Sequence, residues 1–192
     1  LSRGLGDVYK RQVALQNSVL SKAMFQSFAA PMSWLSKAGS TASYNKETGC
    51  VEFTMVTDTR IRVSKRLFCK ILGIPNSGPY DELTSSQVVY MFNEMGHQPP
   101  LTRISDFKKS GLPTIWNFLF GIFLRCLTGR TVGLDKGRME VYAMVAGLYY
   151  DLQLDYSEQL WTEFITSISK MSAKQGISCA RYWSLIVQYV YQ

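Results

Sequence analysis

The densest group of chemically useful side chains is a run of five cations with no acid among them. This cationic run comprises Arg60, Arg62, Lys65, Arg66 and Lys70. Alternation along a strand would place Arg60 and Arg62 on one face, and a guanidinium binds phosphate through two hydrogen bonds where an ammonium cannot. We therefore expect Arg60, Arg62, Lys65 and Arg66 to bind RNA or DNA without sequence preference.

A plainer interpretation of the cationic run stays open. Charged residues often form only the solvated side of an element whose other side is buried. Ile61, Val63 and Phe68 would supply that buried side here. In the nucleic-acid interpretation, Lys108 and Lys109 extend the cationic surface.

The acidic residues do not form a catalytic pattern. Asp151, Asp155, Glu158 and Glu163 lie close together in the sequence, around an expected connection between helices and the helix that follows it. Acids near a helix N-terminus are favoured by the helix dipole, whereas two-metal phosphoryl chemistry needs several acids converging on one pocket. We therefore predict no enzymatic activity, no bound metal, no cofactor and no small-molecule substrate.

The one histidine and a glycine-rich stretch add little chemistry. His97 has no cysteine or carboxylate beside it, whereas zinc needs three or four ligands, so we expect a loop residue without a special role. Residues 129–138 (GRTVGLDKGR) lack the Gly-Lys-Ser/Thr signature of a phosphate-binding loop. We interpret them as a connection between helices. The alternative is contact with backbone phosphates through Arg130, Lys136 and Arg138.

A β-hairpin followed by a short helix is expected to position the cationic run. Apolar and polar residues alternate over 51–55, as in a half-buried strand, and residues 57–59 supply turn-forming side chains. The hairpin is predicted at about 51–63. Ser64 can accept a free amide at the start of the helix, and Gly73 is suited to its end.

The remaining sequence predicts helices that pack as a bundle. A segment at about 113–128 is apolar on nearly every side, so we expect it to be the central helix, covered by the others. A capping box is predicted at Thr84, and helix caps at Asp135 and Ser157. The fold class is therefore mainly α, a helical bundle around a central apolar helix with one small β-hairpin. The last helical pattern reaches Gln192 without a stop signal, so we expect the chain to be truncated there.

Three segments are expected along the chain. Residues 1–12 (LSRGLGDVYKRQ) resemble the translation of a sequencing adapter and are excluded from reasoning about the fold. Residues 13–45 predict an N-terminal helix, broken at Pro31, and a polar linker at 39–45. Residues 46–192 form the helical domain.

Composition restricts the class of protein further. Hydrophobic residues make up 46% of the chain and charged residues 18%, which excludes an intrinsically disordered protein. The net charge of +7 suits an anionic partner. No segment reaches the roughly 18 apolar residues of a membrane-spanning helix, and four scattered cysteines without a secretory signal favour an intracellular protein with reduced thiols.

Several stretches resemble one protein family. They are RIRVS and ILGIP within 60–75, and LPTIWNFL, LTGR, DKGR and AMVAG within 112–147. These stretches are similar to motifs of putative plant transposon or retrotransposon proteins, which are often gag-like. The resemblance covers about residues 50–192 and rests on packing and capping residues, so it carries no active site with it.

The resemblance implies an origin in a plant mobile element and, for a gag-like protein, self-association and packaging of element RNA. We therefore expect a non-enzymatic domain that binds itself, nucleic acid or both. Two alternatives stay open. A transposase-type, metal-dependent enzyme would require convergence among Asp106, Asp135, Asp151 and Asp155. A host helical protein-interaction module would require no nucleic-acid contact.

Overall fold

The computed structural model describes residues 15–129, 135–169 and 177–192. In these residues the chain is mainly helical, with eight α-helices and one small antiparallel sheet. The predicted adapter-like residues 1–12 and Arg130 lie outside the described residues. The elements follow in chain order: α1 (Ser21–Phe25), α2 (Met32–Thr41), β1 (Ser43–Asn45), β2 (Cys50–Thr54), β3 (Arg60–Ser64), α3 (Lys65–Leu72), α4 (Ser85–Glu94), α5 (Thr114–Thr128), α6 (Met139–Tyr150), α7 (Tyr156–Ser169) and α8 (Ala180–Tyr191).

The described residues form two compact units. The sheet unit comprises 19–76, 126–129, 156–169 and 177–192. The helical unit comprises 15–18, 77–125 and 135–155. The domain boundary predicted at residue 45 stays a prediction.

The sheet of the sheet unit contains the predicted hairpin and one strand more. β2 lies in the middle and pairs antiparallel with β1 on one side and β3 on the other. Asp58, at φ 56°, lies in the turn between β2 and β3. The strand β1 and the end of α2 occupy residues 39–45, where a polar linker was predicted. Hydrogen bonds to β2, which sequence periodicity does not show, define this three-residue strand.

Aromatic side chains fill the interior of the sheet unit. Phe68 of α3 stacks on Phe164 of α7 at 5.0 Å between ring centroids, and the edge of Phe53 on β2 meets Trp183 of α8 at 5.2 Å. All four side chains are almost completely buried. Such rings remove large apolar areas from water, so the sheet is stabilised by the helices packed on its apolar face.

The helix α3 begins and ends as its sequence predicts. Ser64 Oγ accepts a hydrogen bond of 3.3 Å from the Leu67 amide, which satisfies one free donor of the first turn. Gly73 follows the last residue at φ 69°, a left-handed conformation that a residue without Cβ adopts at little cost. The position of the cationic run along β3 and α3 is therefore fixed by local sequence.

A second aromatic cluster fills the helical unit. Phe107 lies 4.1 Å from Phe92 of α4, 5.3 Å from Phe120 of α5 and 4.8 Å from Tyr142 of α6, measured between ring centroids. The predicted capping box opens α4, with Thr84 Oγ1 accepting from the Gln87 amide and Gln87 Oε1 accepting from the Thr84 amide. The prediction of a capped α4 is confirmed, and aromatic rings pack the interior of this unit.

Three details of the helical predictions are wrong. The predicted central helix is present as α5, but it is not covered on every side, since Phe118 is 67% exposed and Ile115 is 42% exposed. Asp135 does not cap α6, which begins at Met139; its carboxylate accepts instead from the Ser110 amide at 2.9 Å. Ser157 lies inside the first turn of α7 and not before it. No helix of the described residues is long and apolar enough to cross a bilayer.

Candidate nucleic-acid interface

The register of the sheet separates an apolar face from a polar one. Directly opposed residues of an antiparallel pair point to the same side, and Glu52 lies opposite Arg62 while Thr54 lies opposite Arg60. Val51 pairs with Val63 on the other side, which is buried. Arg60 and Arg62 therefore share the polar face, as the alternation in sequence predicts.

Both arginines contact one carboxylate that was not expected at the site. Arg60 Nη2 donates a hydrogen bond to Glu52 Oε2, and Arg62 Nε lies 3.0 Å from Glu52 Oε1. Glu52 is only 3% exposed, whereas the arginine side chains are 67% and 65% exposed. The two guanidinium groups therefore cover a buried carboxylate with one edge and leave the rest of their surface to solvent.

The cations of α3 extend this surface beyond the strand. Lys65 Nζ lies 2.5 Å from Glu158 Oε2 of α7. Lys70 Nζ lies 3.5 Å from the Tyr189 hydroxyl of α8 and 5.7 Å from the centre of its ring. Both interactions are at the surface, where solvent and salt weaken the attraction between charges.

Arg66 is the member of the cationic run with the most open charge. It is exposed, and no carboxylate of the described residues forms an ion pair with it. Five cations and two carboxylates, Glu52 and Glu158, leave an excess of three positive charges on this part of the sheet unit. The surface is therefore positive, although less so than the sequence of the run alone suggests.

The two acids were missed for different reasons. Glu52 alternates with the apolar residues of β2, so the pattern that places Arg60 and Arg62 on the polar face of β3 could also have placed Glu52 on that face. Glu158 is 93 residues from Lys65 in the sequence, and only the packing of α7 on α3 brings the two together. Lys108 and Lys109 belong to the helical unit.

His97 lies in a loop, as predicted, but it is buried and has structural contacts that the sequence did not indicate. Its ring is 3% exposed, with Nδ1 2.8 Å from the Pro99 carbonyl and Nε2 2.9 Å from the Lys108 carbonyl. The Pro99 carbonyl belongs to the loop that follows α4, and the Lys108 carbonyl belongs to the segment before α5. The imidazole therefore holds these two stretches of backbone together.

Three of the four acids considered for a transposase site lie in separate local settings. Asp106 forms an ion pair with Arg103 at 3.5 Å, Asp135 accepts from the Ser110 amide, and Asp151 ends α6 in a left-handed conformation. Across 15–129, 135–169 and 177–192, no three His, Cys, Asp or Glu side chains are grouped as metal ligands would be. None of the four cysteines, which all lie within the described residues, forms a disulfide.

Comparisons with protein-family models, characterised proteins and solved structures found no match to this chain. The candidate interface therefore depends on its own geometry and charge.

Proposed function

We propose that this protein is a non-enzymatic domain, derived from a plant transposon or retrotransposon and gag-like in role, that binds RNA or DNA through Arg60, Arg62, Lys65 and Arg66. The observation that carries the proposal is the excess of positive charge on β3 and α3, which follow each other without an intervening loop. The sequence resemblance within 60–75 and 112–147 supports the mobile-element origin.

The geometry of the cationic run suits a phosphate backbone. Arg60 and Arg62 extend from alternate positions of one strand, which are about 7 Å apart along it, and this is close to the spacing of phosphates in an extended single strand. Each guanidinium keeps free donors after its contact with Glu52, since it has five. Phosphate contacts of this kind position a nucleic acid without reading its bases.

Glu52 limits how strongly this surface attracts a polyanion. By pairing with both arginines, it fixes their orientation and lowers the local positive charge. A polyanion would bind arginine side chains that Glu52 already holds in one orientation. Little side-chain entropy is therefore lost on binding. We infer a moderate, salt-sensitive affinity that suits packaging of many sequences.

The decisive experiment is filter binding of single-stranded RNA at several salt concentrations. We expect the double variant Arg62→Glu with Arg66→Glu to bind more weakly and to lower the salt slope by about 1.4, since each phosphate contact contributes ~0.7 for a single strand. Unchanged affinity and slope would overturn the proposal.

A matched control separates local charge from net charge. The double variant Lys46→Glu with Arg103→Glu reverses two exposed cations outside the cationic run and changes the net charge equally. It should keep most of the RNA affinity. Equal losses of RNA affinity in both double variants would mean that affinity depends only on net charge. That result would contradict the assignment of these four residues.

Self-association is the second part of the proposed role. Multi-angle light scattering of the purified chain, alone and with RNA, should show species larger than the monomer. A strict monomer together with no RNA binding at low salt would contradict the gag-like role and favour a protein-interaction module.

A further inference from the structure

A cavity of about 530 Å³ lies in the helical unit, beside α5. One wall is the face of α5 that carries Asn117, Phe118, Gly121, Ile122 and Arg125, and the other is the segment 109–114. Sites for small ligands commonly measure ~300–1,000 Å³. The volume of the cavity is therefore within the range of small-ligand sites.

Gly121 keeps this space open. A Cβ built at this position would lie 3.6 Å from Lys109 Nζ, so a longer side chain would extend into the space in front of the ammonium group. The glycine costs helix stability in the interior of α5. The missing side chain at Gly121 leaves the opening beside Lys109.

Two cations line the cavity and keep unused donors. Lys109 Nζ donates to Asn117 Oδ1 at 2.7 Å, and Asn117 Nδ2 donates back to the Lys109 carbonyl at 3.0 Å. The ammonium group has three protons, so this contact fixes its position and leaves others for a ligand. Arg125 is exposed and forms no ion pair within the part of the chain that the structure describes.

The lining combines these cations with hydroxyl groups and an apolar wall. Ser110 and Thr114 supply hydroxyls, while Leu112, Phe118 and Ile122 supply apolar surface. Phe118 is 67% exposed, which is unusual for a phenylalanine on a strongly apolar helix. The lining contains no carboxylate. The acid that contacts this segment, Asp135, accepts from the Ser110 amide, and that hydrogen bond holds the pKa of Asp135 below its ordinary value.

We propose that this cavity binds a nucleoside phosphate, with the phosphate at Lys109 and Arg125 and the base against Phe118. An ammonium and a guanidinium form charge-assisted hydrogen bonds with phosphate oxygens. An exposed aromatic ring offers a face on which any base can stack. The ligand is either a free nucleotide or one nucleotide of a single strand, and both have the same chemistry. The site uses residues of the helical unit alone, so it does not depend on the cationic run.

The test is isothermal titration calorimetry with AMP and, separately, with inorganic phosphate. We expect Arg125→Gln to weaken the binding of both about tenfold, because a hydrogen bond to a charged group is lost. Phe118→Ala should weaken AMP and leave inorganic phosphate unchanged. Gly121→Leu should abolish AMP binding by filling the cavity. Circular dichroism checks that each variant is folded. If Gly121→Leu does not fold, Phe118→Ala still tests the proposal.

Matched controls keep the result specific. Lys108→Gln removes an exposed cation one residue away from Lys109 but outside the lining, and it should bind AMP normally. Arg62→Glu with Arg66→Glu should also bind AMP normally, because these residues belong to the sheet unit. A loss of AMP binding in that double variant would contradict the separation of the two sites.

Competition with oligothymidylate distinguishes the two sources of the ligand. If the site takes a nucleotide of a strand, oligothymidylate displaces AMP and Arg125→Gln weakens both. If it takes a free nucleotide, oligothymidylate does not displace AMP. Absence of AMP binding, or AMP binding that Arg125→Gln and Phe118→Ala leave unchanged, would overturn the proposal. Binding of laurate in place of AMP would assign the cavity to an apolar anion and overturn it as well.

Discussion

At the scale of single residues, Glu52 decides how much of the positive charge of the cationic run is available. It is buried, and both arginines of β3 lie against its carboxylate. A carboxylate in this position competes with phosphate for the same guanidinium donors. The strength of the proposed interface therefore depends on an acid that never contacts the nucleic acid.

We expect Glu52→Gln to bind RNA more tightly than the natural chain, by up to about fivefold, because both arginines that pair with Glu52 are exposed and solvent limits the worth of such a pair to ~1 kcal/mol. Filter binding with the RNA used above would measure the change. The control is Glu47→Gln, which removes an exposed acid from the turn between β1 and β2 and causes the same change in net charge. Weaker binding by Glu52→Gln, or an equal gain in Glu47→Gln, would contradict this role.

At the scale of elements, α3 is positioned by its two ends. Ser64 ends β3 and caps α3, so strand and helix join without an intervening loop. This junction places the cations of α3 directly after those of β3. A change at the junction should therefore affect both stability and RNA binding.

Ser64→Ala should lower the free energy of unfolding by ~1 kcal/mol, because the Leu67 amide loses its acceptor. Urea denaturation followed by circular dichroism would measure the loss. Ser64→Thr keeps a hydroxyl at the cap and should retain most of the stability. If the alanine and threonine variants were equally stable, the cap would contribute nothing.

Local signals allowed much of the fold to be predicted from the sequence. The hairpin of β2 and β3 was found from alternation, and the caps at Ser64 and Thr84 from short-range hydrogen-bond chemistry. β1 was missed because three polar and aromatic residues carry no periodicity of their own. Asp135 was wrongly predicted to cap α6, because its actual partner, the Ser110 amide, is 25 residues away.

The candidate site was predictable only in part. The sequence placed Arg60 and Arg62 on one strand face, but the ion pair of Lys65 with Glu158 depends on tertiary packing. The cavity beside α5 escaped notice because the apolar pattern of that helix predicted burial on every side. Phe118 is exposed instead, and no pattern in the sequence distinguishes it from its buried neighbour Phe120.

At the scale of the whole molecule, buried groups with displaced pKa values link stability to pH. Burial raises the pKa of the Tyr182 phenol well above its ordinary value, and burial likewise raises the pKa of the Cys179 thiol. The folded chain keeps these protons at a pH where the unfolded chain has begun to lose them. The stability that they contribute is complete below the unfolded pKa values and is lost as pH rises toward the folded ones.

We therefore expect the free energy of unfolding to fall above about pH 9, where exposed thiols and phenols ionise. Urea denaturation across an alkaline pH series would measure the decline. Tyr182→Phe should show a smaller decline, because it lacks one ionisable group. It should also be less stable at neutral pH by ~1 kcal/mol, because the hydroxyl donates to the Leu127 carbonyl at 3.1 Å. A constant stability up to pH 11 would contradict this account.

The strand order has a consequence for how copies of the chain behave when crowded. In the described residues the sheet ends at β3, so this strand has an outer margin whose peptide groups face no further strand. A strand of another chain can form hydrogen bonds with such an unpaired edge, and charged side chains on the edge strand oppose this pairing. Arg60 and Arg62 are on this margin. We propose that these two residues bind a polyanion, and we expect them also to hinder pairing between copies of the chain at this strand, so neutralising both should remove that protection.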